Sequence, residues 1–262
     1  MRALRALLVV LVATQVLVMA ETSAYAQVTD TVPCPVGIPD AGFVDVDSTN
    51  VHKHDIDCIS YWGITTQVGT YDGAGSVTRE QMALFLTRAY NWVGNLPPGN
   101  PRGFEDVAGL SVESQVAINQ LGELSITTGV SATAFAPQAT VTREQMARFL
   151  ARTIRATAVD LPDGSAQGFN DINAWPTESQ QAINQMRQLG VTLGTTATTF
   201  EPGATVNRQQ MASFLARTLA VIWTFRLFTE FELTCNPPLV EEAGNGVHRL
   251  RFLAGWSHLQ GP

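Results

Sequence analysis

Apolar and polar residues recur along this chain in two helical rhythms, one strong and one short, and the pair occurs three times. The strong rhythm is clearest at Met146, Phe149, Leu150, Thr153 and Ile154. These follow the i, i+3, i+4, i+7, i+8 spacing of one buried stripe on a helix. Met82, Phe85, Leu86 and Ala89 repeat it, as do Met211, Phe214, Leu215 and Leu219. The short rhythm precedes each strong one. Ile56, Ile59 and Trp62 carry it first, then Val116, Ile118 and Leu121 leading to Leu124, then Ile183, Met186 and Leu189. Each strong helix has a marked start. Thr78 with Gln81 and Thr142 with Gln145 are capping boxes, and Asn207 with Gln210 is the same device with Asn as the cap.

These pairs belong to an internal repeat. Three segments open alike, at Gly42-Phe43-Val44-Asp45-Val46, Gly103-Phe104-Glu105-Asp106-Val107 and Gly168-Phe169-Asn170-Asp171-Ile172. Three close alike, at Val77-Thr78-Arg79-Glu80-Gln81-Met82-Ala83, Val141-Thr142-Arg143-Glu144-Gln145-Met146-Ala147 and Val206-Asn207-Arg208-Gln209-Gln210-Met211-Ala212. The closing arginines are 64 and 65 residues apart, and eight positions before each stands an aromatic: Tyr71, Phe135, Phe200. Loops rich in Pro and Gly at 94–102 and 160–168 separate the units. The repeats fall at 27–94, 95–158 and 159–220, and 221–262 remain as an aromatic-rich tail without clear period. One two-helix unit cannot bury its stripe alone, whereas three can bury theirs around a shared axis. The expected fold is mainly α.

Composition narrows the function. Of 262 residues, 45% are apolar and 15% charged, enough to build a core. The net charge is -7, the pI about 5.1, and Lys53 is the one lysine. Such a chain has no basic surface with which to hold nucleic acid. Residues 1–26 read as a secretory signal peptide. Arg2 and Arg5 precede an apolar stretch at 6–20, and Ala24-Tyr25-Ala26 supplies the small residues of a cleavage site. No later segment reaches spanning length, and the best, 219–228, is short and carries Arg226, so no stable membrane insertion is expected after cleavage. Export favours a disulfide between Cys34 and Cys58, contributing roughly 3–4 kcal/mol by loop closure. Cys235 is left over.

Metal and catalytic chemistry find little support. Cys34 and Cys58 with His52 and His54 match no zinc spacing. Asp45-Val46-Asp47 is not a calcium loop, since no Gly stands sixth and Ile56 stands twelfth. No nucleophile elbow, zinc-protease helix, phosphate loop or Cys-x-x-Cys occurs. The reading is of a protein that is not an enzyme and needs no cofactor or metal.

The candidate chemistry lies at the helix starts. Arg79, Arg143 and Arg208 occupy the first helical position, where the helix dipole disfavours a cation by roughly 0.3–1 kcal/mol. Two readings stand side by side. In one, free backbone N–H groups and the guanidinium fork hold a carboxylate or phosphate, with the capping residues Thr78, Thr142 and Asn207 alongside. In the other, each arginine packs on the aromatic eight residues earlier and pairs with Asp45, Asp106, Asp171 or a carboxylate of a neighbouring repeat. Those aspartates themselves suit turn capping or a direct ligand contact. Trp62, found in the first unit alone, suits the core or a sugar-stacking edge.

Taken together, these motifs resemble S-layer homology repeats, over about residues 42–218. The resemblance implies a compact pseudo-threefold helical bundle with grooves between its lobes. It implies a secreted protein of the cell wall or envelope that binds a cell-wall polysaccharide non-covalently, often one bearing an anionic pyruvate ketal. The family's groove arginine falls on Arg79, Arg143 and Arg208. The units depart from the pattern unequally. The first has Gln67 where the others have Gly129 and Gly194, and the third has Asn207 and Gln209, which leaves the Arg143 site the most intact. The competing reading is a structural or protein-binding envelope module, with 221–262 as the segment open to a protein cargo.

Overall fold

The computed structural model of the protein describes residues 33–235, with side chains as far as residue 226. Within them run six α-helices: α1 (Lys53–Tyr61), α2 (Arg79–Asn91), α3 (Val112–Glu123), α4 (Arg143–Ala156), α5 (Thr177–Gln188) and α6 (Arg208–Cys235). A 3-10 turn at Glu105–Val107 follows the second opening motif. β-pairing among the described residues is limited to isolated bridges. The expected mainly helical fold is therefore present.

The strong helices start where the capping residues stand. Thr78 Oγ1 accepts from Gln81 N–H at 3.2 Å, and Gln81 Oε1 accepts from Thr78 N–H at 3.1 Å. Thr142 with Gln145 and Asn207 with Gln210 repeat this reciprocal pair. Each cap satisfies donors that the first helical turn cannot satisfy internally. The stripes beyond the caps are buried. Met82, Leu86, Met146, Leu150, Ile154, Met211 and Leu215 all lie in the core.

Helix pairing crosses the repeats. α3 packs on α2, α5 on α4, and α1 on α6. The first helix of each repeat thus lies on the second helix of the repeat before it, and α1, which has none before it, closes onto the last. Between repeats, Val77 N–H donates to the Val206 carbonyl at 3.0 Å. Val206 donates to Val141 and Val141 to Val77, both at 2.9 Å, so the three bonds form a closed ring. α2, α4 and α6 meet beyond this ring. There Leu86, Tyr90, Thr153, Leu215 and Leu219 line a small cavity, and the Tyr90 hydroxyl donates to the Ala156 carbonyl at 2.9 Å.

Cys34 and Cys58 are joined, with 5.4 Å between their Cα atoms. α6 runs unbroken across residue 220, where the sequence reading ended the third repeat, and Ile222 is buried. The start of the segment set apart as a tail is thus a continuation of the last helix. The expected signal peptide at 1–26 and residues 236–262 lie outside the described residues.

Candidate functional site

Each strong helix begins with an arginine that reaches into the next repeat. Arg79 Nε donates to the Phe135 carbonyl at 2.7 Å, Arg143 Nε to Phe200 at 2.6 Å, and Arg208 Nε to Tyr71 at 2.8 Å. The guanidinium also lies over the ring of the residue whose carbonyl it holds, 4.6 Å from the Phe135 centroid, 4.7 Å from Phe200 and 4.9 Å from Tyr71. A second ring lies on another side at 5.5–5.7 Å: Phe149, Phe214 and Phe85 respectively. All three arginines are 5% exposed. Desolvation depresses the pKa of Arg79 and Arg143, but from so high a starting value that both remain cations.

This geometry corrects three details of the sequence reading. The aromatic partner is the one belonging to the following repeat, not the one eight residues earlier in the same repeat. The aspartates do not form ion pairs with these arginines. And the helix-start N–H groups are not free. Arg79 N–H donates to Ala139 and Glu80 N–H to Pro137, both at 2.9 Å. Arg143 and Glu144 use Ala204 and Pro202, and Arg208 and Gln209 use Gly75 and Gly73. The neighbouring loop already occupies the place proposed for an anion along the backbone. What remains unmet is on the side chains: Nη2 of Arg79 and Nη2 of Arg208 are buried without a hydrogen-bond partner.

The aspartates hold the other side of the same aromatic residues. Asp45 accepts from Tyr71 and Asp72 N–H at 2.7 and 2.8 Å, and Asp106 from Phe135 and Ala136 at 2.9 and 2.7 Å. Asp171 accepts from Phe200 and Glu201 at 2.9 and 2.7 Å. Accepting these backbone bonds, first of all that from Tyr71, lowers the pKa of Asp45. The second residue of each turn is left-handed, with φ of 55° at Asp72, 57° at Ala136 and 58° at Glu201. The Phe of each opening motif packs on the same aromatic, with centroids 5.2, 5.7 and 5.6 Å apart. Each aromatic residue is thereby fixed by an aspartate on its N–H and an arginine on its carbonyl and ring.

A second periodic arginine lies nine residues after the first. Arg88, Arg152 and Arg217 donate to the carbonyls of Ile64, Ile126 and Val191 at 3.2, 3.3 and 3.4 Å. Sequence reasoning passed over it, although the same 64- and 65-residue spacing was there to find it. Trp62 is half-buried. Its indole N–H donates to the Pro33 carbonyl and its own carbonyl accepts from Trp92 Nε1 at 2.7 Å. Its ring packs against Trp92 at 4.8 Å and Trp223 at 6.3 Å. Among the described residues no group of three His, Cys, Asp or Glu is placed to hold a metal ion, and no helix is long and apolar enough to cross a membrane.

Comparison with known proteins agrees with the repeat pattern. A profile of the S-layer homology domain matches residues 104–147 and 168–212. An endoglucanase of Bacillus sp. (strain KSM-635) is 28% identical over 156 residues, 59% of this chain. The match covers 16% of that endoglucanase, about a sixth of its length.

Proposed function

The chain belongs to the S-layer homology family, and on that premise we propose that it holds a cell-wall polysaccharide non-covalently in the clefts where one repeat meets the next. The family indicates association with the cell surface. The finer reading concerns the ligand and its place. An anionic secondary polymer, such as a pyruvylated glycan, suits clefts built around cations. The observation that carries this reading is the pair of unmet guanidinium donors, Arg79 Nη2 and Arg208 Nη2, at equivalent points of two clefts. A buried donor without a partner costs about 1–3 kcal/mol, and a carboxylate brought to it removes that cost. In this reading Thr78, Thr142 and Asn207, half-buried at the helix caps, and Asp45, Asp106 and Asp171 add polar groups to the same clefts. Arg143 holds Phe200 at the third junction as the other two hold their aromatics, and in this reading it lines the third cleft. In this reading the protein acts by binding and is not an enzyme.

The competing reading is that the arginines only join repeats, in an envelope module with a structural or protein-binding role. Their burial and their bonds to carbonyls favour it. Co-sedimentation with purified cell-wall sacculi, before and after removal of their secondary polymer, separates the two. The proposal expects binding that needs the polymer and that weakens about tenfold or more in Arg208→Lys, which keeps charge but loses the fork. Circular dichroism confirms that the variant is folded. Equal binding to stripped and intact walls, or none to either, overturns it.

A further inference from the structure

One threonine recurs in all three repeats with unequal partners. Thr65, Thr127 and Thr192 each follow a short helix and are anchored alike. Their N–H groups donate to the Ile59, Leu121 and Met186 carbonyls at 3.2, 3.2 and 3.1 Å. In the second and third repeats the hydroxyl has a partner inside the loop. Thr127 Oγ1 accepts from Gly129 N–H at 3.2 Å, and Thr192 Oγ1 from Gly194 N–H at 3.3 Å. Both glycines are left-handed, with φ of 76° and 81°. The first repeat has Gln67 there, outside the left-handed region, in a loop two residues shorter. Thr65 Oγ1 is left buried without a partner, in a residue 4% exposed.

The junction built on the first repeat also holds the unmet Nη2 of Arg208. At the Arg143 junction, Arg143, Thr192, Phe200 and Phe214 line one small cavity. Thr65, Tyr71 and Phe85 stand to Arg208 as Thr192, Phe200 and Phe214 stand to Arg143. The repeat geometry therefore sets Thr65 and Arg208 around the same space beside Tyr71, each with an unmet polar atom. At the Arg79 junction the threonine is satisfied and the arginine is unmet alone. Charge favours the Arg208 junction too. Gln209 follows Arg208 where Glu80 follows Arg79 and Glu144 follows Arg143, so this arginine lacks the acidic neighbour of the other two. Asp45, on the far side of Tyr71, already uses both oxygens on the Tyr71 and Asp72 N–H groups.

We propose that Thr65 is a binding residue of the Arg208 cleft: its hydroxyl and Arg208 Nη2 donate together to one carboxylate of the wall polymer. The inference rests on the reading of the clefts as polymer sites, and it makes the Arg208 cleft the one that selects an acidic sugar. A hydroxyl and a guanidinium N–H are both donors, and a carboxylate satisfies both at once. Thr65 borders the run 66–70, exposed at every residue, and the ligand arrives from that side. The departure of Gln67 from the glycine pattern is what frees the hydroxyl.

Co-sedimentation of the full chain with intact and polymer-stripped sacculi, beside thermal melts without sacculi, tests it. Thr65→Val should weaken polymer-dependent binding about tenfold, the size of one hydrogen bond to a charged group. It should melt at or above the wild-type temperature, since it removes an unmet hydroxyl. Thr65→Ser keeps the donor and should bind like the wild type. Thr127→Val reverses the pattern: it breaks the bond to Gly129, so it should melt lower and bind normally. Undiminished binding by Thr65→Val, with Arg208→Lys weakened, overturns this inference and leaves the cleft reading standing. A melting temperature lowered in Thr65→Val as much as in Thr127→Val also overturns it, because the hydroxyl then has a partner within the fold. Absence of polymer-dependent binding by the wild type overturns both.

Discussion

Arg79 and Phe135 touch twice, once through the 2.7 Å bond from Nε to the carbonyl and once through the guanidinium 4.6 Å over the ring. The first contact needs a donor held at a fixed angle, and the second needs a flat cation. Lysine has neither. Arg79→Lys is expected to destabilise by about 2 kcal/mol, as a buried carbonyl loses its partner and the stacking is lost. A urea titration reads this as a lower midpoint with unchanged slope. By contrast Glu113→Gln, which removes a partly exposed ion pair, should cost under about 1 kcal/mol.

Asp106 makes a left-handed turn tolerable at Ala136. Asp106→Ala removes the carboxylate that accepts from two backbone N–H groups and is expected to cost about 1–3 kcal/mol. Ala136→Gly relieves the positive φ and should gain up to about 1 kcal/mol net of glycine's extra freedom when unfolded. Thermal melts of the single and double variants test whether the two effects are coupled, which shared contacts require. The corresponding Asp45 has its pKa lowered, so the stability it brings is present above the usual aspartate value and is lost as pH falls below it. Asp45→Asn should flatten that acid limb in melts taken between pH 5 and 2.

Gly129 is needed for space as well as for its φ of 76°. A Cβ there would lie 2.6 Å from a ring carbon of Phe104 and from the carbonyls of Ser131 and Ala134. Gly194 faces the same crowding from Phe169, Thr196 and Thr199. Gly129→Ala is expected to destabilise by about 2 kcal/mol or more. The urea midpoint checks it, with Gly69→Ala as a control, because a Cβ at Gly69 meets nothing within 4 Å although its φ is also positive, at 78°.

The Cys34–Cys58 bond ties the start of the first repeat onto α1, the helix that closes the ring. Replacing both cysteines with serine should cost roughly 3–4 kcal/mol on the loop-closure view. The loss should appear first in α1. Hydrogen exchange with and without a reductant reads it as faster exchange over Lys53–Tyr61 than over α3 or α5.

The sequence by itself determined the helices, their starts and the pairing of Cys34 with Cys58. These rest on local rules: periodic apolar positions, a cap with a glutamine three residues on, and two cysteines near in the chain. It also determined that arginine, aspartate and aromatic residues recur together. Which of them meet was decided only by the tertiary structure. The periodicity of a repeat gives every residue three equivalent partners, and a single copy cannot show whether contact lies within a repeat or between two. Closing the ring resolved this in favour of the neighbour, because each short helix finds its exposed stripe on the preceding repeat. The same closure placed His52 opposite Ser213, 161 positions apart. No local pattern links them.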